Sequence, residues 1–169
     1  MTFDVREQLG PIASAVERAS RSGFQPLAST VGVIYHALGG APVKWVLADL
    51  EPVPGTRLMA GELVVFSESL VAFVTLSGSG TASLAPQSEG AIRVQVLPRS
   101  TLVRLEVGWG EHDAGPQAFG LDDYESLPYA ATLSLWFAGR ERPVVVDPVG
   151  SSGLTTQRYA ALLADLRAT

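Results

Sequence analysis

The chain has 169 residues, two His, no Cys and a net charge of 12 − 17 = −5. This length suits one domain, and a globule of this size hides about 70% of the surface of its unfolded chain, so it needs no staples. The missing Cys excludes disulfides, thiol nucleophiles and thiolate metal sites, and two His are too few for a His-rich zinc site. Apolar residues make up 47% and charged ones 17%, a composition that folds rather than stays disordered.

The N-terminus reads as a helix. Asp4 is a cap with Glu7 three residues on, and Val5, Leu9, Ile12, Val16 and Ala19 form one apolar stripe. Gly10-Pro11 either kinks this helix or restarts it with Pro11 in its first turn, and Gly23 ends it. Asp4 and Glu7 stand where a signal peptide would carry positive charge, and no long apolar run follows, so a cytoplasmic, soluble protein without an inserted segment is expected. The stripe packs either on its own domain or on a second copy. A homodimer is expected, because a domain with its own closing helix has little need of another amphipathic one.

Residues 31–38 (VGVIYHAL) fit both helical spacing and strand composition. A short helix is expected, capped by Ser29 or Thr30 and stopped by Gly39-Gly40. From Lys44 onward the texture becomes that of strands. Lys44–Leu50 is the first, ended by Pro52 and Pro54-Gly55. Gly61–Ser67 and Leu70–Ser77 flank a tight Glu68-Ser69 turn, and a Gly/Ser-rich loop fills 77–90. Ala91–Leu97 alternates with Ile92, Val94 and Val96 on one face. Leu102–Gly108 alternates with Val103, Leu105 and Val107 inside and Arg104 and Glu106 outside. Thr132–Ala138, a Gly139-Arg140 turn and Pro143–Asp147 follow. Thr155 or Thr156 then opens a last helix, with Tyr159, Leu162, Leu163 and Leu166 on one face. Seven strands and a terminal helix without βαβ alternation make an α+β, antiparallel architecture.

That order resembles the pleckstrin-homology-like superfold, in particular bacterial PH-like and GRAM-type domains, over residues 44–167. Its most specific stretch is 97–107 (LPRSTLVRLEV), where Leu97, Pro98, Leu102 and Leu105 fall on the places of an apolar-Pro step into an apolar strand. GELVVFSESLVAFV resembles the hairpin of such domains. The resemblance implies a seven-stranded antiparallel barrel capped by the C-terminal helix over 43–169, with residues 1–42 as a helical extension. It also implies a non-enzymatic binding or assembly module. Two departures matter. The first two strands carry only Lys44 and Arg57, so phosphoinositide binding is not expected. The Trp residues are Trp45, Trp109 and Trp136, whereas the last helix offers Tyr159.

Charge is segregated. Leu105–Gly139 contains no Lys or Arg and six acids, which leaves the rest of the chain at +1. The acidic surplus disfavours nucleic acid and anionic lipid as partners. Residues 109–131 form a long connection rich in acids and aromatics, a mix that fits either a binding loop or a solvated, mobile insertion. Trp109, Glu111, Asp113, Phe119, Asp122, Asp123, Tyr124 and Glu125 are the candidate site, for a protein partner with a basic segment. Glu111-His112-Asp113 is the one catalytic suspect, and an enzyme-like or small-molecule-binding barrel using His112 and the loop acids is the alternative. Neighbouring loop residues rarely converge on one atom, and no Gly-x-Ser-x-Gly motif is present, so no catalytic residue is assigned. His36 reads as a packed or surface residue. The acids fit no EF-hand spacing, and the Gly/Ser turns at 78–80 and 150–153 lack the Lys of a phosphate cradle. No metal and no cofactor is expected.

Overall fold

A computed structural model describes residues 5–19, 28–54, 58–80, 90–108, 132–146 and 156–168. Among these residues, three helices and seven strands follow in the order α1 (Val5–Ala19), α2 (Ala28–Ala37), β1 (Trp45–Pro52), β2 (Leu58–Phe66), β3 (Leu70–Gly80), β4 (Ala91–Pro98), β5 (Leu102–Gly108), β6 (Thr132–Phe137), β7 (Val144–Val146) and α3 (Thr156–Arg167). The protein is α+β, and all strand pairs among the described residues are antiparallel. The strands do not form one closed seven-stranded sheet. They make two meanders, β1-β2-β3-β4 and β5-β6-β7. Pro98, which lacks an N–H, ends β4, and the single helical turn Arg99–Thr101 follows before β5 begins the second sheet. Two compact units result, Met1–Arg99 and Ser100–Thr169.

In the first unit, cross-strand register puts Val46, Val65 and Ala72 in one row and Ala48, Leu63 and Val74 in the next. These residues share a core with Ile12, Val16 and Ala19 of α1 and Val31, Ile34 and Leu38 of α2. The α1 stripe is therefore covered by its own chain, which is the intramolecular alternative for those residues. Pro11 sits inside a continuous α1. Gly23 and the capping residue Asp4 lie outside the described residues.

The opposite face of the same sheet is also buried, at Leu47, Val64, Phe66, Val71 and Phe73. That explains why 63–66 and 71–74 are continuous apolar runs rather than alternating ones. The β2–β3 turn closes on Ser67. Its N–H donates to the Leu70 carbonyl at 2.9 Å, and its Oγ accepts from the Leu70 N–H at 3.0 Å. Arg99 locks this turn from below: its N–H donates to the Ser69 carbonyl, its Nη1 donates to the Ser67 carbonyl at 3.3 Å, and its guanidinium lies 5.9 Å from the Phe66 ring centroid.

The ambiguous segment is helical and starts earlier than its spacing suggests, at Ala28, so Ser29 and Thr30 lie within the helix rather than at its cap. Gly39 and Gly40, at φ 62° and 75°, end it as expected, and the Gly40 N–H returns to the Tyr35 carbonyl at 2.9 Å. Thr30 is fully buried and its Oγ1 has no hydrogen-bond partner among the described residues. An unpaired buried hydroxyl costs free energy that an isosteric methyl does not. Thr30→Val should therefore raise stability by about 1 kcal/mol, read as a higher urea midpoint at unchanged slope. A fall in the midpoint contradicts this.

In the second unit, β6 alternates with Leu133, Leu135 and Phe137 buried, and β7 adds Val144 and Val146. Strand β5 departs from strict alternation. Leu102 opposes Phe137 and Arg104 opposes Trp136, so Val103 is an extra, bulged residue. Val103 is 67% exposed and not inside, while Leu102 and Leu105 are half-buried. Val107 sits on the inner face by register, opposite Leu133, yet is exposed near the strand end. On α3, Leu162 and Leu166 are buried and Leu163 is only half-buried, so the core face is narrower than the sequence stripe. No described helix is long and apolar enough to cross a membrane.

Candidate interaction surface

The eight candidate residues Trp109, Glu111, Asp113, Phe119, Asp122, Asp123, Tyr124 and Glu125 lie outside the described residues, and so does His112. The two strand ends that hold this stretch are described. Gly108 of β5 is the register partner of Thr132 of β6. The described residues on either side of 109–131 are thus paired with each other.

The same two strands carry a built polar cluster. Because Leu133, Leu135 and Phe137 turn to the core, Thr132, Ser134 and Trp136 turn the other way. The Val103 bulge sets the phase of β5. Without the extra residue, the Leu102–Phe137 pairing would put Arg104 opposite Leu135 on the core face. With it, Arg104 opposes Trp136 and Glu106 opposes Ser134. The long side chains then meet along the diagonal. The Trp136 indole Nε1–H donates to Glu106 Oε2 at 3.1 Å, and Arg104 Nε forms an ion pair with Glu106 Oε1 at 3.3 Å. The Arg104 guanidinium carbon stands 4.3 Å from the Trp136 ring centroid, a cation–π stack. Arg104 and Glu106 are each about half exposed, so these groups share a wet sheet face with Val145, itself 55% exposed.

The outward direction of Arg104 and Glu106 was legible in the alternation of 102–107, whereas Trp136 carried no signal as a site residue. Its place follows from pairing β5 with β6 across residues 109–131, which no local pattern specifies.

Other candidates are weaker. Lys44 pairs with exposed Glu68 at 3.1 Å, an arrangement of little energetic weight, and Arg57 lies outside the described residues. His36 is exposed and edge-on to Tyr35, with ring centroids 5.5 Å apart, which fits the surface reading. Asp49 and Glu51 line an open cleft with Pro52, Val53, Pro54, Ala60 and Gly61, a pair of carboxylates facing water. Among the described residues no group of three or more His, Asp or Glu side chains is arranged to hold a metal.

No family model, no curated protein and no solved structure matches the chain.

Proposed function

We propose that this protein is a non-catalytic binding or assembly module of PH-like build, acting in the cytoplasm, and that it recognises a basic segment of a protein partner through residues 109–131. One observation carries the reading: the described residues that flank this acidic, aromatic stretch, Gly108 and Thr132, are register partners on one sheet. A stable scaffold that holds out a long connection is how binding loops are displayed. The PH-like part is supported by the order of elements, a four-strand meander, a three-strand meander and a terminal helix. The charge segregation supports the basic character of the partner.

The test is capture on an array of basic and acidic peptides. Asp122→Asn, Asp123→Asn and Glu125→Gln together should cut capture of basic peptides at least tenfold and leave thermal unfolding unchanged. Equal capture by the triple variant removes the reading. Vesicles containing phosphoinositide should not pellet the protein at low salt, and salt-sensitive co-sedimentation would contradict the module's proposed preference for protein. The protein also pairs as a homodimer, through a face other than Ile12, Val16 and Ala19, which are already buried. Light scattering after size exclusion reads the mass directly.

A further inference from the structure

We infer that Glu106 and Trp136 form a seat for a guanidinium, that Arg104 fills this seat in the free protein, and that an arginine of the basic partner displaces it. The inference rests on the protein-binding reading above and names the chemistry of the group recognised.

The geometry is that of arginine recognition. A guanidinium needs a flat π-face on one side and a carboxylate at its edge. Trp136 supplies the face at 4.3 Å and Glu106 the carboxylate at 3.3 Å. The indole Nε1–H donates to the other Glu106 oxygen at 3.1 Å, which orients the carboxylate without consuming the oxygen that meets the cation. The seat is thus held in place by its own hydrogen bond, and only its occupant is exchangeable.

Arg104 is a weak occupant. Its side chain is 54% exposed and that of Glu106 is 51% exposed, so water competes for both. Arg104 meets the carboxylate through Nε at 3.3 Å as an ion pair, whereas an incoming guanidinium approaching from solvent can present two N–H groups side by side. The surrounding sequence favours an incoming cation. Arg104 is the last base before Leu105–Gly139, which has six acids and no Lys or Arg and contains both Glu106 and Trp136. A basic segment drawn to this stretch arrives where one intramolecular cation already marks the geometry.

An internal competitor lowers apparent affinity by the fraction of time it holds the seat. Removing it must therefore strengthen binding, the reverse of what loss of a direct contact does. The experiment titrates the full chain and each variant with a capped Gly-Arg-Arg-Arg-Gly peptide and with its lysine counterpart by isothermal calorimetry, and the Trp136 indole N–H resonance, assigned with Trp136→Phe, reports contact at the seat wherever Trp136 is retained. Arg104→Ala should bind the arginine peptide about threefold to tenfold tighter than the unmodified protein. Glu106→Gln and Trp136→Leu should weaken it at least fivefold, and the lysine peptide should bind less tightly than the arginine one. Thermal unfolding of each variant confirms that the sheet is intact. Unchanged or weaker binding by Arg104→Ala overturns the seat, as does equal affinity for the two peptides. Binding that survives Glu106→Gln and Trp136→Leu but disappears on neutralising Asp122, Asp123 and Glu125 also overturns the seat, and leaves the binding-module reading standing.

Discussion

Gly61→Ala should be among the most damaging single substitutions in the first sheet, lowering stability by about 3–5 kcal/mol. Gly61 lies within β2 at φ 137°, a conformation that L side chains rarely adopt. A Cβ built there would stand 2.0 Å from the Asp49 carbonyl oxygen of the neighbouring strand. That neighbour is backbone, so relief requires β1 and β2 to separate where Leu50 pairs with Gly61. The cost is therefore lost pairing as well as local strain. Gly32, where an added Cβ meets nothing within 4 Å, is the control, and Gly32→Ala in α2 should be neutral or slightly stabilising because alanine favours helix. Chemical denaturation of both variants checks the pair. A Gly61→Ala protein with an unchanged midpoint would show that β1 does not approach β2 as described.

Leu162→Ala should cost about 2–5 kcal/mol, because it empties a fully buried leucine position in α3. Leu163→Ala should cost clearly less, since Leu163 is half-buried. The sequence stripe treats the two as equivalent, so the contrast between them, rather than either value alone, tests the observed rotation of the helix. Equal losses would mean that α3 turns a different face inward. No loss in either would mean that the helix contributes nothing to the fold.

Much of the architecture was legible without coordinates, and for identifiable reasons. Strands β1, β3, β4, β6 and β7 lie where β-rich apolar runs are bounded by Pro, Gly and short polar turns. The tight turn at Glu68-Ser69 was readable because Ser67 and Leu70 flank just two polar residues. Boundaries were less legible. β2 begins at Leu58 and β3 runs on to Gly80, because pairing with a neighbour extends a strand past its apolar centre into residues that have no strand preference of their own. The candidate site divides the same way. The eight residues of 109–131 were singled out by composition and charge, and they lie outside the described residues. Arg104 and Glu106 were placed outward by alternation alone.

What the sequence determined by itself is therefore the set of elements, the antiparallel α+β class and the acidic character of one stretch, because each depends on short-range pattern, turn chemistry and charge count. Only the tertiary structure decided which faces are covered and which residues meet. Whether the α1 stripe lies on its own chain or a second one depends on what apolar surface is within reach, and the answer is the face of β1–β3 bearing Ala48, Leu63 and Val74. The division into sheets of four and three depends on how the chain turns after Pro98. The meeting of Arg104, Glu106 and Trp136 depends on one bulged residue, Val103, and on pairing between strands separated by residues 109–131. A bulge shifts every later side chain of a strand by one face, and it arises from the fit between two partners, so neither strand read alone contains it.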